Sequence, residues 1–218
     1  MGEDSDVDLA VVGSGGAAMS AAIAASVAGR SVVLIERGIV GGICVNVGCV
    51  PSKTLLTAAG ARYGALHNPF GGAPTSAGAV DFGALVAQKN ELIGAVRQAK
   101  YADVAKAYGF EVRPGQATFL DKDTLAFDGA PLRARGYVVA TGAEPAHPDL
   151  PGLAEIDWLT STTAMELSKL PESLVVIGGG HVGMEQAQLF AHLGSRVTVI
   201  GRLAPWSEPE LAFGLVRC

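Results

Sequence analysis

Residues 6–18 read Asp6-Val-Asp-Leu-Ala-Val-Val-Gly13-Ser-Gly15-Gly-Ala-Ala18, and their pattern decides the fold. A short apolar run ends in a glycine turn, and an alanine-rich stretch suited to a helix follows as far as Ala28. Gly29 and Arg30 stop that helix, and Ser31-Val-Val-Leu-Ile35 reads as a second, β-branched strand closed by Glu36. Strand, helix and strand within about 30 residues make a βαβ unit, the building block of a parallel sheet in an α/β protein. In this context Gly13-x-Gly15-x-x-Ala18 reads as a dinucleotide fingerprint. Gly13 permits the tight turn, Gly15 lets backbone approach a pyrophosphate, and Ala18 allows close helix–strand packing. The helix N-terminus supplies N–H groups and a positive dipole end to the phosphates. Glu36, 23 residues after Gly13, stands where a ribose hydroxyl would be accepted. The alternative is a glycine turn that binds nothing.

The pattern returns near the other end of the chain. Leu174-Val-Val-Ile177 leads into Gly178-x-Gly180-x-x-Gly183, then a helix from Met184 to Leu193, Gly194 as a stop, and the strand Arg196-Val-Thr-Val-Ile200. No acid follows this strand: Gly201 and Arg202 do. Arg202 reads either as a partner for a 2′-phosphate, favouring NADPH, or as a solvated loop cation. Two sites of opposite ribose chemistry point to two cofactors, one a flavin and one a nicotinamide. Between them the sequence predicts a cysteine-bearing segment over 41–62, a Gly/Pro-rich loop over 67–78 and an amphipathic helix over 82–108. Short strands at 111–113, 117–120 and 124–127 and a buried strand at 137–139 follow. Three prolines within 145–152 mark a domain boundary, dividing the chain into 1–150 and 151–218.

Cys44-Val-Asn-Val-Gly-Cys49-Val-Pro-Ser-Lys53 carries the chemistry. The cysteine spacing is too wide for a zinc knuckle, and no second pair completes a ligand set. Around an irregular helix start, with Gly41, Gly42 and Gly48 nearby, positions five apart come close enough for a disulfide. Helix amides and Lys53 would lower a thiol pKa. The segment reads as a redox dithiol beside a flavin site, or as two inert buried cysteines.

Composition sets outer bounds. The 218 residues include 29 glycines, nearly twice the usual share, while only 17% are charged. An apolar content of 49% excludes intrinsic disorder. A net charge of −5 without a Lys/Arg block argues against nucleic acid as a partner. Residues 9–29 form an uncharged run of 21, but it is rich in Ala, Gly and Ser and follows an acidic start, so neither a membrane span nor a signal peptide is expected. Three cysteines argue against a disulfide framework and for a reducing, cytoplasmic setting. Cys218 reads as an incidental terminal residue.

The cysteine segment, the fingerprint before it, Ala140-Thr141-Gly142 and the fingerprint after it closely resemble, in order, the pyridine nucleotide–disulfide oxidoreductases. Gly13-Ser-Gly-Gly-Ala-Ala-Met19, the valines between the cysteines, Ala99-Lys-Tyr101 and Glu185-Gln-Ala-Gln188 are most similar to the mercuric reductase branch. The resemblance implies a Rossmann-like FAD-binding domain over 1–150, incomplete, then the start of a Rossmann-like NADPH-binding domain over 151–218. It implies Cys49 as the flavin-proximal thiol, Cys44 as the interchange thiol, and Lys53 with Glu185 as an ion pair near flavin N5. Thr141 and Gly142 would bind flavin. Hg(II), held by Cys44 and Cys49, or a disulfide would be the substrate. Ile43 departs from the family's usual threonine. His181 stands where relatives often carry a tyrosine that gates the nicotinamide pocket, or is a plain loop histidine. His67, His147 and His192 match nothing catalytic. The family's C-terminal dimerisation domain is absent from the sequence, so a homodimer is a family expectation and the chain is expected to be a fragment. Two other functions fit: dihydrolipoamide dehydrogenase or a related disulfide reductase, and a noncatalytic thiol-metal or flavin-binding module.

Overall fold

The computed structural model describes residues 6–201. Arg202 and Cys218 lie outside them. The described residues divide into two compact units, one from 6–49 and 92–144, the other from 50–91 and 145–201.

The first unit is built on a parallel sheet. Strands β1 (Val7–Val12) and β2 (Val32–Glu36) flank helix α1 (Gly16–Val27), as the fingerprint predicts. With β3 (Glu111–Pro114) and β7 (Ala134–Val139) they form the order β3-β2-β1-β7, every pair parallel. Val32, Val33, Leu34 and Ile35 are all buried, which requires cover on both faces of the sheet. On one face α1 and helix α5 (Asp103–Tyr108) supply Ala18, Met19, Ala22 and Ala105 to a core with Val11 and Leu34. On the other lies an antiparallel sheet of β4 (Ala117–Phe119), β5 (Leu125–Phe127) and β6 (Ala130–Leu132), whose Leu125 and Leu132 pack on Ala10, Val33 and Ile35. The uncharged run over 9–29 is thus a strand, a turn and a 12-residue helix. No described helix is long and apolar enough to cross a membrane.

The cysteine segment is more helical than the sequence suggests. It comprises α2 (Gly42–Asn46) and α3 (Cys49–Leu66), separated by Val47 and Gly48. Pro51 is tolerated because it falls in the first turn of α3, where a missing N–H breaks no bond. The helix expected over 82–108 is α4 (Phe82–Arg97), a π-helical turn over Gln98–Ala102, and α5.

In the second unit, α3, α4, the short helix α6 (Ser161–Ala164) and α7 (His181–Leu193) bury Leu55, Phe82, Met165, Leu189 and Phe190 together. Lys89 is wholly buried. Its ammonium donates to Met165 O at the end of α6 and pairs with Glu166, which supplies the partners a buried charge requires. Strands β8 (Ser173–Ile177) and β9 (Arg196–Ile200) pair in parallel around α7. Helices α3 and α7 run parallel, joined near their starts by Lys53–Glu185. Near their ends Arg62 donates to His192 O, and Tyr63 is stacked between His67 and His192 with ring centroids 3.9 and 4.0 Å away.

Candidate functional site

Three glycines account for how the first unit's site closes up. Gly13 has φ +108, and a Cβ there would drive into Ala140 O at the end of β7. Gly42 has φ +66, and its Cβ would lie 2.5 Å from Gly15 Cα, so the phosphate-type turn and the start of α2 meet backbone to backbone. Gly142 has φ +78, and its Cβ would lie 2.7 Å from Ile43 Cδ1. Turn, cysteine segment and Ala140–Gly142 therefore converge, which only residues without side chains permit. Ile43 occupies this contact, giving the departure from threonine a packing role.

A cavity of about 300 Å³ opens at this junction, lined among others by Gly13, Gly15, Glu36, Gly42, Thr141 and Gly142. Gly15 is the N-cap of α1 and no side chain blocks the helix N-terminus, so the first amides face a surface a pyrophosphate can reach. Glu36 lies on its rim, with Oε1 accepting from Gly38 N–H at 2.8 Å and Oε2 from the Ser14 hydroxyl at 2.6 Å. Each carboxylate oxygen keeps further acceptor capacity for sugar hydroxyls. The residues present fit the adenosine diphosphate part of a dinucleotide. Ala18, in the first turn of α1, is fully buried and contributes packing.

Cys44 stands at the third position of α2 and Cys49 opens α3; both are exposed and present as thiols. The Cys44 thiol is pushed above its ordinary value, first by its side-chain hydrogen bond to Cys49, then by burial and by repulsion from a Cys49 thiolate. For Cys44 the direction is thus opposite to the lowering expected of a thiol in this segment, and its neighbour is the main cause. Asn46, between them, fixes the loop. Its amide donates to Ile39 O, Val40 O and Gly42 O at 3.0–3.1 Å, while Arg97 Nε donates to its Oδ1 at 3.0 Å. Immediately after Arg97 the π-helical turn carries Tyr101, 3.7 Å from where a Cβ on Gly41 would sit. Burial and the charge of Cys44 raise the Tyr101 phenol. Sequence reasoning assigned no role to Ser14, Asn46 or Arg97, although a polar residue inside each of the two motifs was a visible signal.

In the second unit Lys53 Nζ and Glu185 pair as expected, with 59% and 40% of their side chains exposed. Gly178, Gly180 and Gly183 form the second turn, with Gly180 as N-cap of α7. Gly183 is required by contact, since a Cβ would run into Gly178 O. His181 is the first residue of α7. Among the described residues no group of three or more His, Cys, Asp or Glu could hold a metal ion.

A family model described as pyridine nucleotide-disulphide oxidoreductase matches residues 7–209. The chain belongs to this family. Its members are enzymes that work with FAD and NAD(P)H. A mercuric reductase of Streptomyces lividans is 53% identical over 216 residues, covering 95% of this chain and 46% of the relative. One from Staphylococcus aureus is 48% identical over 212 residues, 96% of this chain and 39% of the relative. Among solved structures, the Cu(II) complex of the HOCl-induced flavoprotein disulfide reductase RclA from Escherichia coli is 30% identical, with a TM-score of 0.75 over 88% of this chain and 41% of that one. The chain spans less than half the length of these relatives.

Proposed function

We propose that this chain is the flavin- and dithiol-bearing part of an NADPH-dependent Hg(II) reductase. The observation that carries the reading is the exposed Cys44–Cys49 thiol pair set beside a glycine-lined nucleotide cavity, in a chain about half identical to proteins named mercuric reductase. Residues 1–150 would hold FAD and 151–218 would begin the NADPH domain, with Gly178, Gly180 and Gly183 at its phosphates and Arg202 at its 2′-phosphate. FAD, when bound, supplies a two-electron relay between nicotinamide and dithiol.

The roles of this chain's own residues follow from their chemistry. Glu36 accepts from ribose, Gly13 and Gly15 clear the pyrophosphate's approach, and Thr141 and Gly142 border the flavin. Lys53, its charge fixed by Glu185, places a cation where a reduced flavin gains negative charge. Cys44 meets the substrate and Cys49 faces the flavin. Two thiolates suit a soft cation such as Hg(II), and binding it releases the protons carried by the thiols. Two electrons convert Hg(II) to Hg(0), so electrons balance with one NADPH per ion. A cycling dithiol suits a reducing compartment, the cytoplasm, and a homodimer follows the family.

The test is anaerobic. The chain, carried within a protein of its relatives' length and loaded with FAD, is reduced by NADPH, then challenged separately with Hg(II), lipoamide and glutathione disulfide. Reoxidation by Hg(II) with release of Hg(0), abolished in C44S and C49S, is the expected result. Faster reoxidation by lipoamide moves the assignment to a dihydrolipoamide dehydrogenase, and tight Hg(II) binding without NADPH oxidation moves it to a sequestering module.

A further inference from the structure

We propose that Ser14 is a positioning residue that holds, with one hydroxyl, both the Glu36 carboxylate and the entry to the cysteine segment. Ser14 is the residue between the two fingerprint glycines and is 1% exposed. Gly41 N–H donates to its Oγ at 3.0 Å in a buried contact. Because that bond uses Oγ as an acceptor, the single hydroxyl proton is left for Glu36 Oε2, 2.6 Å away. The directions of both bonds are therefore set without ambiguity.

Each end matters to the site. Gly41 has φ +115 and is the N-cap of α2, the helix that carries Cys44. Ser14 is the acceptor that holds its N–H in that left-handed conformation. Glu36 is held at both oxygens, by Ser14 and by Gly38, so its carboxylate is oriented before any sugar arrives. The second fingerprint serves as an internal control. Gly179 stands where Ser14 does, and Gly201 where Glu36 does. Hydroxyl and carboxylate are present together in one turn and missing together from the other.

The inference rests on reading Glu36 as the ribose acceptor, and the experiment separates the two. FAD is titrated by flavin fluorescence into the whole chain and into S14A, S14T, E36Q and S14A/E36Q, and exchange of the Gly41 amide is followed by NMR without FAD. A hydrogen bond to a carboxylate lost in S14A should weaken FAD about tenfold, and S14T should recover most of it. The double variant should bind no more weakly than E36Q, because Ser14 acts through Glu36. Gly41 exchange should quicken about tenfold in S14A and return in S14T. Additive losses in the double variant, or unchanged affinity in S14A, overturn the Glu36 arm. Unchanged exchange overturns the Gly41 arm. If the unaltered chain takes no FAD, or E36Q binds as well as it does, the ribose reading fails and Gly41 exchange alone decides the role of Ser14.

Discussion

At Gly13 and again at Gly178 the chain leaves a parallel strand in a left-handed conformation, with φ +108 and +113. Each glycine donates to a matching carbonyl on the next strand, Ile35 O and Ile200 O, both at 2.8 Å. The N-caps Gly15 and Gly180 have nearly identical backbones, φ −71 and −76 with ψ near 180°. What differs is the surroundings. A Cβ on Gly13 strikes Ala140, because β7 pairs with β1; a Cβ on Gly178 meets nothing within 4 Å. Conversely, the third position admits Ala18 in the first turn but excludes any side chain at Gly183. The turn is therefore a local property of the sequence, while the tolerance of each glycine belongs to its neighbours. Val175, Ile177 and Ile200 are correspondingly exposed on β8 and β9.

The comparison can be broken by substitution. The largest effects are expected for G13A and G183A, each forcing Cβ into a carbonyl oxygen and costing more than about 4 kcal/mol in urea unfolding of its own unit. G178A, strained in φ but not crowded, should cost about 1–2 kcal/mol. Equal losses at 13 and 178 would show that φ alone governs both turns. Next is a titration: in C49A the Cys44 thiol loses its hydrogen-bond partner and the repulsive thiolate, so the midpoint of its alkylation with pH should move down. Burial and His67 hold the His192 imidazole below histidine's ordinary 6.5. The unfolded chain then binds the proton more readily, so the second unit should lose stability as pH falls below about 6.5 and regain it above. H192F, which keeps a ring against Tyr63, should flatten that dependence in unfolding midpoints measured on either side of 6.5. The smallest stability effect is expected for K53M, below about 1 kcal/mol, because the pair with Glu185 is half exposed. A larger loss would make it a structural brace rather than a functional charge.

Much of this was legible in the residues. Both βαβ units, the glycine turns and the Lys53–Glu185 pairing follow from periodicity and family order. The long helix after Cys49 was not, because Gly48 and Pro51 look like breakers and only their place at a helix start makes them harmless. Strand β6, Ala130–Leu132, holds a proline and was missed; that residue lies in the outer strand of its small sheet, where a missing donor costs little. The raised Cys44 thiol was hidden for a different reason: it depends first on a hydrogen bond between the two sulfurs, which spacing does not report.

The π-helical turn over Gln98–Ala102 also sets a rule about length. Such a turn holds one residue more than an α-helix needs, and here it lies between Arg97, which grips Asn46, and Ala105, which is buried in the core. Removing a single residue from it would restore ordinary helix, and because the wider turn has absorbed that residue, the helix on either side would keep its facing. Arg97 and Ala105 would then keep their places while Tyr101 shifts within the turn, so this stretch should absorb the loss of one residue, whereas the addition of one would turn Ala105 out of the core.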